Sequence, residues 1–105
     1  MRRRAKADAN QPEIVKALRQ RGATVLMTHQ LSSGQTQCGL DLLVGSQGID
    51  QRVEIKDGSK PKSAQKLTPP EQNECDTWKG RPIVILYSVD DAMAMLDKMY
   101  MEASW

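Results

Sequence analysis

Two carboxylates and a lysine stand in apolar, strand-like surroundings, where a charged side chain is costly unless something offsets it. Asp41 lies in the segment GLDLLVG, and Glu54 and Lys56 lie in RVEIK. Because side chains alternate between the two faces of a strand, Glu54 and Lys56 must share a face. If the two segments pair as a hairpin with Asp41 on that face, the two carboxylates and the backbone carbonyl of Ile55 can bind one divalent cation.

The chemistry that suits this set is hydrolysis of a phosphodiester. Mg²⁺ favours sites with few carboxylates, retained water and substrate phosphate oxygens. Such an ion polarises the scissile phosphate and lowers the pKa of a bound water, while Lys56 would orient that water or stabilise the developing charge. Glu13 is a further candidate carboxylate, acting directly or through water. The alternative is structural: a Glu–Lys pair on a solvent-facing strand is ordinary, and Glu13 can simply cap its helix.

The composition indicates one small domain. The chain has 105 residues, a formal net charge of +2 and no Phe, so its core must rest on aliphatic residues and Met. The longest apolar run, residues 83–87, is too short to cross a membrane, and no apolar stretch follows the basic start. We therefore expect a cytoplasmic protein with no membrane partner. Cys38 and Cys75 match no zinc or disulfide spacing, and we expect both to be reduced.

Helix boundaries are readable from capping signals. Asn10 and Glu13 form one expected capping box, and Thr68 and Glu71 form a second. Gly22 is a natural stop for the first helix. Residues 1–9 are expected to form a basic flexible arm, and residues 10–105 a single domain.

The predicted elements follow the order α-β-β-β-α-β-α. The strands are expected at residues 23–29, 39–46, 51–56 and 82–87, with residues 47–50 joining the second and third. A strand–helix–strand passage near the end favours one parallel pairing. The fold class is therefore α/β, with a mixed central sheet flanked by helices.

The Asp41…Glu54-Ile55-Lys56 pattern resembles the PD-(D/E)xK nuclease superfamily, whose core is restriction-endonuclease-like. The likeness to the small single-domain VRR-NUC type of phages and prophages extends over most of residues 10–96. It rests on NxxEIV at the first helix, GxDLLVG, EIKDG, and LTPxxQ leading to Trp78. One departure is Leu40, which stands where the family usually has a proline that shapes the backbone.

The resemblance implies roles for five side chains. Asp41 and Glu54 would bind Mg²⁺ or Mn²⁺, and Lys56 would be the lysine of the ExK motif. Glu13 would match the glutamate of the first helix. Gln72 would contact the substrate phosphate or position the attacking water, although an exposed helix residue is the alternative at that position.

Basic residues lie where DNA phosphates would run. They are Lys60, Lys62 and Lys66 after the ExK strand, and Arg2, Arg3 and Arg4 at the start of the chain; a solvated loop and tail are the alternative. Some relatives cut branched DNA as dimers, and the Met-rich C-terminal segment fits a homodimer. We expect a Mg²⁺-dependent endonuclease of branched DNA with low sequence specificity, in the host cytoplasm if phage-encoded. The alternative function is a non-catalytic nucleic-acid-binding module that keeps the nuclease fold.

Overall fold

The computed structural model describes residues 9–28 and 41–103. Within them lie α1 (Gln11–Gln20), β1 (Thr24–Met27), β2 (Leu42–Ser46), β3 (Ile49–Ile55), α2 (Lys62–Gln65), α3 (Pro69–Thr77), β4 (Val84–Leu86) and α4 (Val89–Ala103). The strands form one sheet in the order β1-β2-β3-β4. The first two pairings are antiparallel and the pairing of β3 with β4 is parallel. The expected α/β class with a mixed sheet is confirmed, and the short α2 is an addition.

The hairpin of β2 and β3 is tighter than predicted. Its turn contains only Gln47 and Gly48, both with positive φ, at 56° and 78°. Ser46 pairs with Ile49, so residues expected in the connection belong to β3 instead. Positive φ at both central positions is the geometry of a type I′ turn, whose twist matches the twist of paired strands. This turn fixes the register that brings Asp41 towards β3.

One face of the sheet carries the apolar core. Leu42 and Val44 of β2 and Val53 and Ile55 of β3 are almost fully buried, as strict alternation requires. Buried side chains of α1 and α4 cover this face: Ile14, Val15, Leu18, Ala92, Met95, Leu96 and Met99. None of the described helices is long and apolar enough to cross a membrane.

The helix starts confirm one of the two predicted capping boxes and correct the other. The Thr68–Glu71 capping box is complete, and the Ser88 hydroxyl accepts from the Asp91 N–H. The Asn10–Glu13 capping box is wrong, because Asn10 has helical backbone angles and makes no side-chain cap bond. Its amide group instead donates to backbone carbonyls of the sheet.

Helix α3 lies over the other, polar face of the sheet. Arg52 of β3 stacks on the Trp78 ring, 4.1 Å from its centroid, and pairs with Glu74 at 3.3 Å. Trp78 thus packs this end of α3 on the sheet, although 44% of it stays exposed. Cys75 of the same helix is disulfide-bonded, so the expectation of a reduced thiol is wrong there. Cys38, the chain's other cysteine, lies outside the described residues.

Candidate functional site

Asp41 and the ExK segment meet at one end of the β2–β3 ladder. The last paired residues are Leu42 and Val53, so the next step of the register sets Asp41 opposite Glu54, on the same face. The Asp41 Oδ2 accepts a hydrogen bond of 2.7 Å from the Ile55 N–H. Its carbonyl accepts another from the Thr28 N–H of the neighbouring chain segment, at 3.1 Å. The hairpin therefore makes the juxtaposition that side-chain alternation predicted.

Glu54 and Lys56 point to the polar side of β3 and are nearly buried. Their side chains are 7% and 13% exposed, and the Lys56 Nζ lies 3.9 Å from Glu54 Oε2. A closer partner of the lysine is Glu71 at the start of α3, whose Oε1 lies 2.9 Å from Nζ. A buried ammonium between two carboxylates is held in one position, whereas an exposed lysine samples many rotamers.

Glu71 is the residue that sequence reasoning assigned only to a helix cap. It is 3% exposed, and its Oε1 also accepts from the Thr68 N–H at 2.8 Å. Burial acts to raise the pKa of Glu71, but hydrogen bonds from the Thr68 N–H and Lys56, and one with Glu54, lower it. The net pKa lies below the ordinary value of 4.5, so Glu71 is ionised at neutral pH.

Two predicted site residues lie away from this cluster. Glu13 is exposed on the first turn of α1, and its side chain makes no hydrogen bond or ion pair with another described residue. Gln72 is exposed and donates to Asp76 Oδ1 of its own helix at 2.9 Å. The structure thus brings together Asp41, Glu54 and Lys56, and adds Glu71 where Gln72 was expected.

The basic loop after β3 is ordered by its own side chains. Asp57 Oδ1 accepts from the Ser59 hydroxyl and N–H, as in a turn, and these hydrogen bonds lower the pKa of Asp57. The Gln65 amide donates to the Gly58 and Lys60 carbonyls. Three exposed lysines project from this segment: Lys60, Lys62 and Lys66. Arg2, Arg3 and Arg4 lie outside the described residues.

The donor chemistry fits a hard divalent cation held by few protein ligands. Carboxylates flank both cations on this side of the sheet, Glu54 and Glu71 beside Lys56 and Glu74 beside Arg52, and the Asp41 carboxylate bonds the Ile55 N–H at the end of the same ladder. Residues 9–28 and 41–103 contain no group of three or more His, Cys, Asp or Glu arranged to hold a metal. A site of two carboxylates and several waters is, however, a usual one for Mg²⁺.

Comparisons of the chain with protein-family models, with curated proteins and with solved structures find no match.

Proposed function

We propose that the chain is a Mg²⁺-dependent DNA endonuclease with a restriction-endonuclease-like core. The observation that carries the proposal is the meeting of Asp41 with Glu54 and Lys56 at one end of the two central strands. There the Asp41 carboxylate bonds the Ile55 N–H at 2.7 Å. An acidic pair beside a buried lysine serves phosphodiester hydrolysis, since the reaction needs both a cation and a fixed donor near the phosphate.

Each residue of the site has a separate task in this proposal. Asp41, Glu54 and the Ile55 carbonyl would hold a Mg²⁺ or Mn²⁺ ion. When bound, that ion polarises the scissile phosphate and acidifies a water. Lys56 donates hydrogen bonds to the phosphate oxygens and so stabilises the charge that develops on them. The lysines of the loop after β3 hold the flanking DNA backbone without reading bases.

The proposed substrate is branched DNA, and the proposed assembly is a homodimer. Support for a dimer comes from the end of α4, where Tyr100 and Met101 are 63% and 64% exposed. Large apolar side chains exposed together are frequent at interfaces between subunits. A two-fold dimer presents two sites, which suits paired cuts in a four-way junction. Light scattering coupled to gel filtration measures the mass directly, and a monomer at all concentrations contradicts this part of the proposal.

The decisive experiment is a cleavage assay on labelled four-way junctions, flaps, nicked duplexes and linear duplexes, with Mg²⁺, Mn²⁺ or EDTA. We expect cleavage with either metal, none in EDTA, and the fastest cutting on a branched DNA. Asp41→Asn should cut at least about 100-fold more slowly, because the amide oxygen still accepts from the Ile55 N–H but the charge is gone.

Asp57→Asn is the matched control for Asp41→Asn. It removes the same charge from a carboxylate that bonds only Ser59, so its cleavage rate should equal that of the wild type. DNA binding in Ca²⁺ should be retained in both variants. Binding by a wild-type protein that cuts no DNA with either metal would instead establish the non-catalytic binding module.

A further inference from the structure

Glu71 bonds both the start of α3 and Lys56 through a single oxygen atom. Its Oε1 accepts from the Thr68 N–H at 2.8 Å, which closes the capping box of α3. The same Oε1 accepts from the Lys56 Nζ at 2.9 Å. Thr68 and Glu71 belong to the start of α3, whereas Lys56 follows β3, 15 residues earlier. The start of the helix and the site lysine are therefore held by one carboxylate.

The short contact to Glu71 also determines what Lys56 does to Glu54. The ammonium lies 2.9 Å from Glu71 but 3.9 Å from Glu54. A charge-assisted hydrogen bond forms at about 2.7 to 2.9 Å, so the strong bond goes to Glu71. Without that bond, a flexible lysine stem would let the ammonium close on Glu54 and compete with a cation for its oxygens.

We infer that Glu71 is a positioning residue: it holds Lys56 towards the scissile phosphate and keeps the ammonium from closing on Glu54. This inference rests on the proposed nuclease function. Glu71 touches neither phosphate nor metal in this role: it acts on them through the side chains that it contacts, Lys56 at 2.9 Å and Glu54. Because the carboxylate is also the capping residue of α3, the lysine is in place only when the start of that helix is formed.

Glu71→Gln separates the two tasks of this side chain. A glutamine at the third helical position still completes a capping box with Thr68, so α3 and the fold should remain. The neutral amide, however, holds an ammonium less tightly than a carboxylate does. We expect kcat to fall about 10- to 100-fold with little change in KM for DNA, because the interaction of Lys56 with the phosphate strengthens as charge develops in the transition state.

Thr68→Ala is the matched control, since it weakens the same capping box by removing its other hydrogen bond. It removes the hydroxyl that accepts from the Glu71 N–H and leaves the Glu71–Lys56 contact intact. Its urea midpoint should fall while kcat stays within about twofold of the wild type. If Glu71→Gln does not fold, Glu71→Asp replaces it: the charge stays, but the shorter side chain draws back from Lys56, and kcat should again fall at constant KM.

A second readout needs neither metal nor DNA. The Lys56 ammonium should give a slowly exchanging ¹⁵N-edited NMR signal in the metal-free protein, and this signal should shift or broaden in Glu71→Gln but not in Thr68→Ala. If the wild type cuts DNA but Glu71→Gln matches it in kcat and in the ammonium signal, the positioning role of Glu71 is overturned while the proposed nuclease function stands. If the wild type cuts no DNA with Mg²⁺ or Mn²⁺, the proposed function itself is overturned and the role goes with it.

Discussion

A single amide group ties three segments together beside the site. The Asn10 Nδ2 donates to the Lys56 carbonyl at 3.2 Å and to the Tyr87 carbonyl at 3.1 Å. The Tyr87 carbonyl also accepts from the Gly58 N–H at 3.0 Å, and a Cβ at Gly58 would lie only 2.7 Å from that oxygen. The start of α1 and the ends of β3 and β4 are thus fixed to one another next to the lysine.

Asn10→Ser tests whether this tie or helix capping explains Asn10. Serine caps helices as well as asparagine does, so a capping role predicts no loss. The structure predicts that the free energy of unfolding falls by about 1 kcal/mol, because serine is too short to serve two carbonyls. Urea unfolding measures the difference. Thr68→Ser, at a true cap, should change stability by no more than a few tenths of a kcal/mol; equal stability of both variants would show that the tie contributes nothing.

Helix α3 illustrates what can and cannot be predicted from sequence at the level of an element. Its start was predictable, because the capping box is a local signal. Its covering of the polar sheet face was not, because only Glu71 among its residues is buried and no apolar stripe marks an inner side. The contacts that join α3 to the middle of β3 are an ion pair and a cation–π stack. Neither contact produces a periodic pattern of residue types in the sequence.

Side-chain direction on α3 also explains why Gln72 lies apart from the cluster and why Glu71, which belongs to it, was missed. Consecutive helical residues point about 100° apart, so Gln72 faces solvent when Glu71 faces the sheet. The meeting of Asp41 with Glu54 was predictable, because strand alternation and a hairpin are sufficient for it. The reach of Lys56 to Glu71 depends instead on how α3 is placed across the sheet, and that placement is a matter of tertiary packing.

The stacking of Arg52 on Trp78 can be measured by a double-mutant cycle. Arg52→Lys keeps the charge and the ion pair with Glu74 but loses the flat guanidinium, and Trp78→Leu keeps apolar bulk. We expect a coupling free energy of about 0.5 to 1 kcal/mol between the two changes, the range for cation–π pairs that are partly exposed. This coupling free energy is measured by urea unfolding of the wild type, both single variants and the double variant. Strictly additive effects would mean that the stack does not hold α3.

At the scale of the whole molecule, the sheet separates an apolar side from a polar one. Helices α1 and α4 cover the apolar face with the core, and α3 covers the face that carries Glu54 and Lys56. The loop of Lys60, Lys62 and Lys66 follows Lys56 along the chain, so it begins at the end of β3 where Asp41, Glu54 and Lys56 meet. DNA bound at the proposed site would run along this side, since phosphate contacts position the duplex.

The position of this loop predicts where the salt dependence of the proposed DNA binding arises. Each phosphate contact steepens the slope of log K against log salt by about 0.9, so Lys60→Gln with Lys62→Gln should flatten it by about 1.8. Lys16→Gln with Lys98→Gln removes the same charge from exposed positions on α1 and α4 and should leave the slope unchanged. Fluorescence anisotropy of a labelled four-way junction, in an Asp41→Asn background to prevent cutting, gives both slopes. Equal flattening by the two pairs would mean that net charge, and not this face, attracts the DNA.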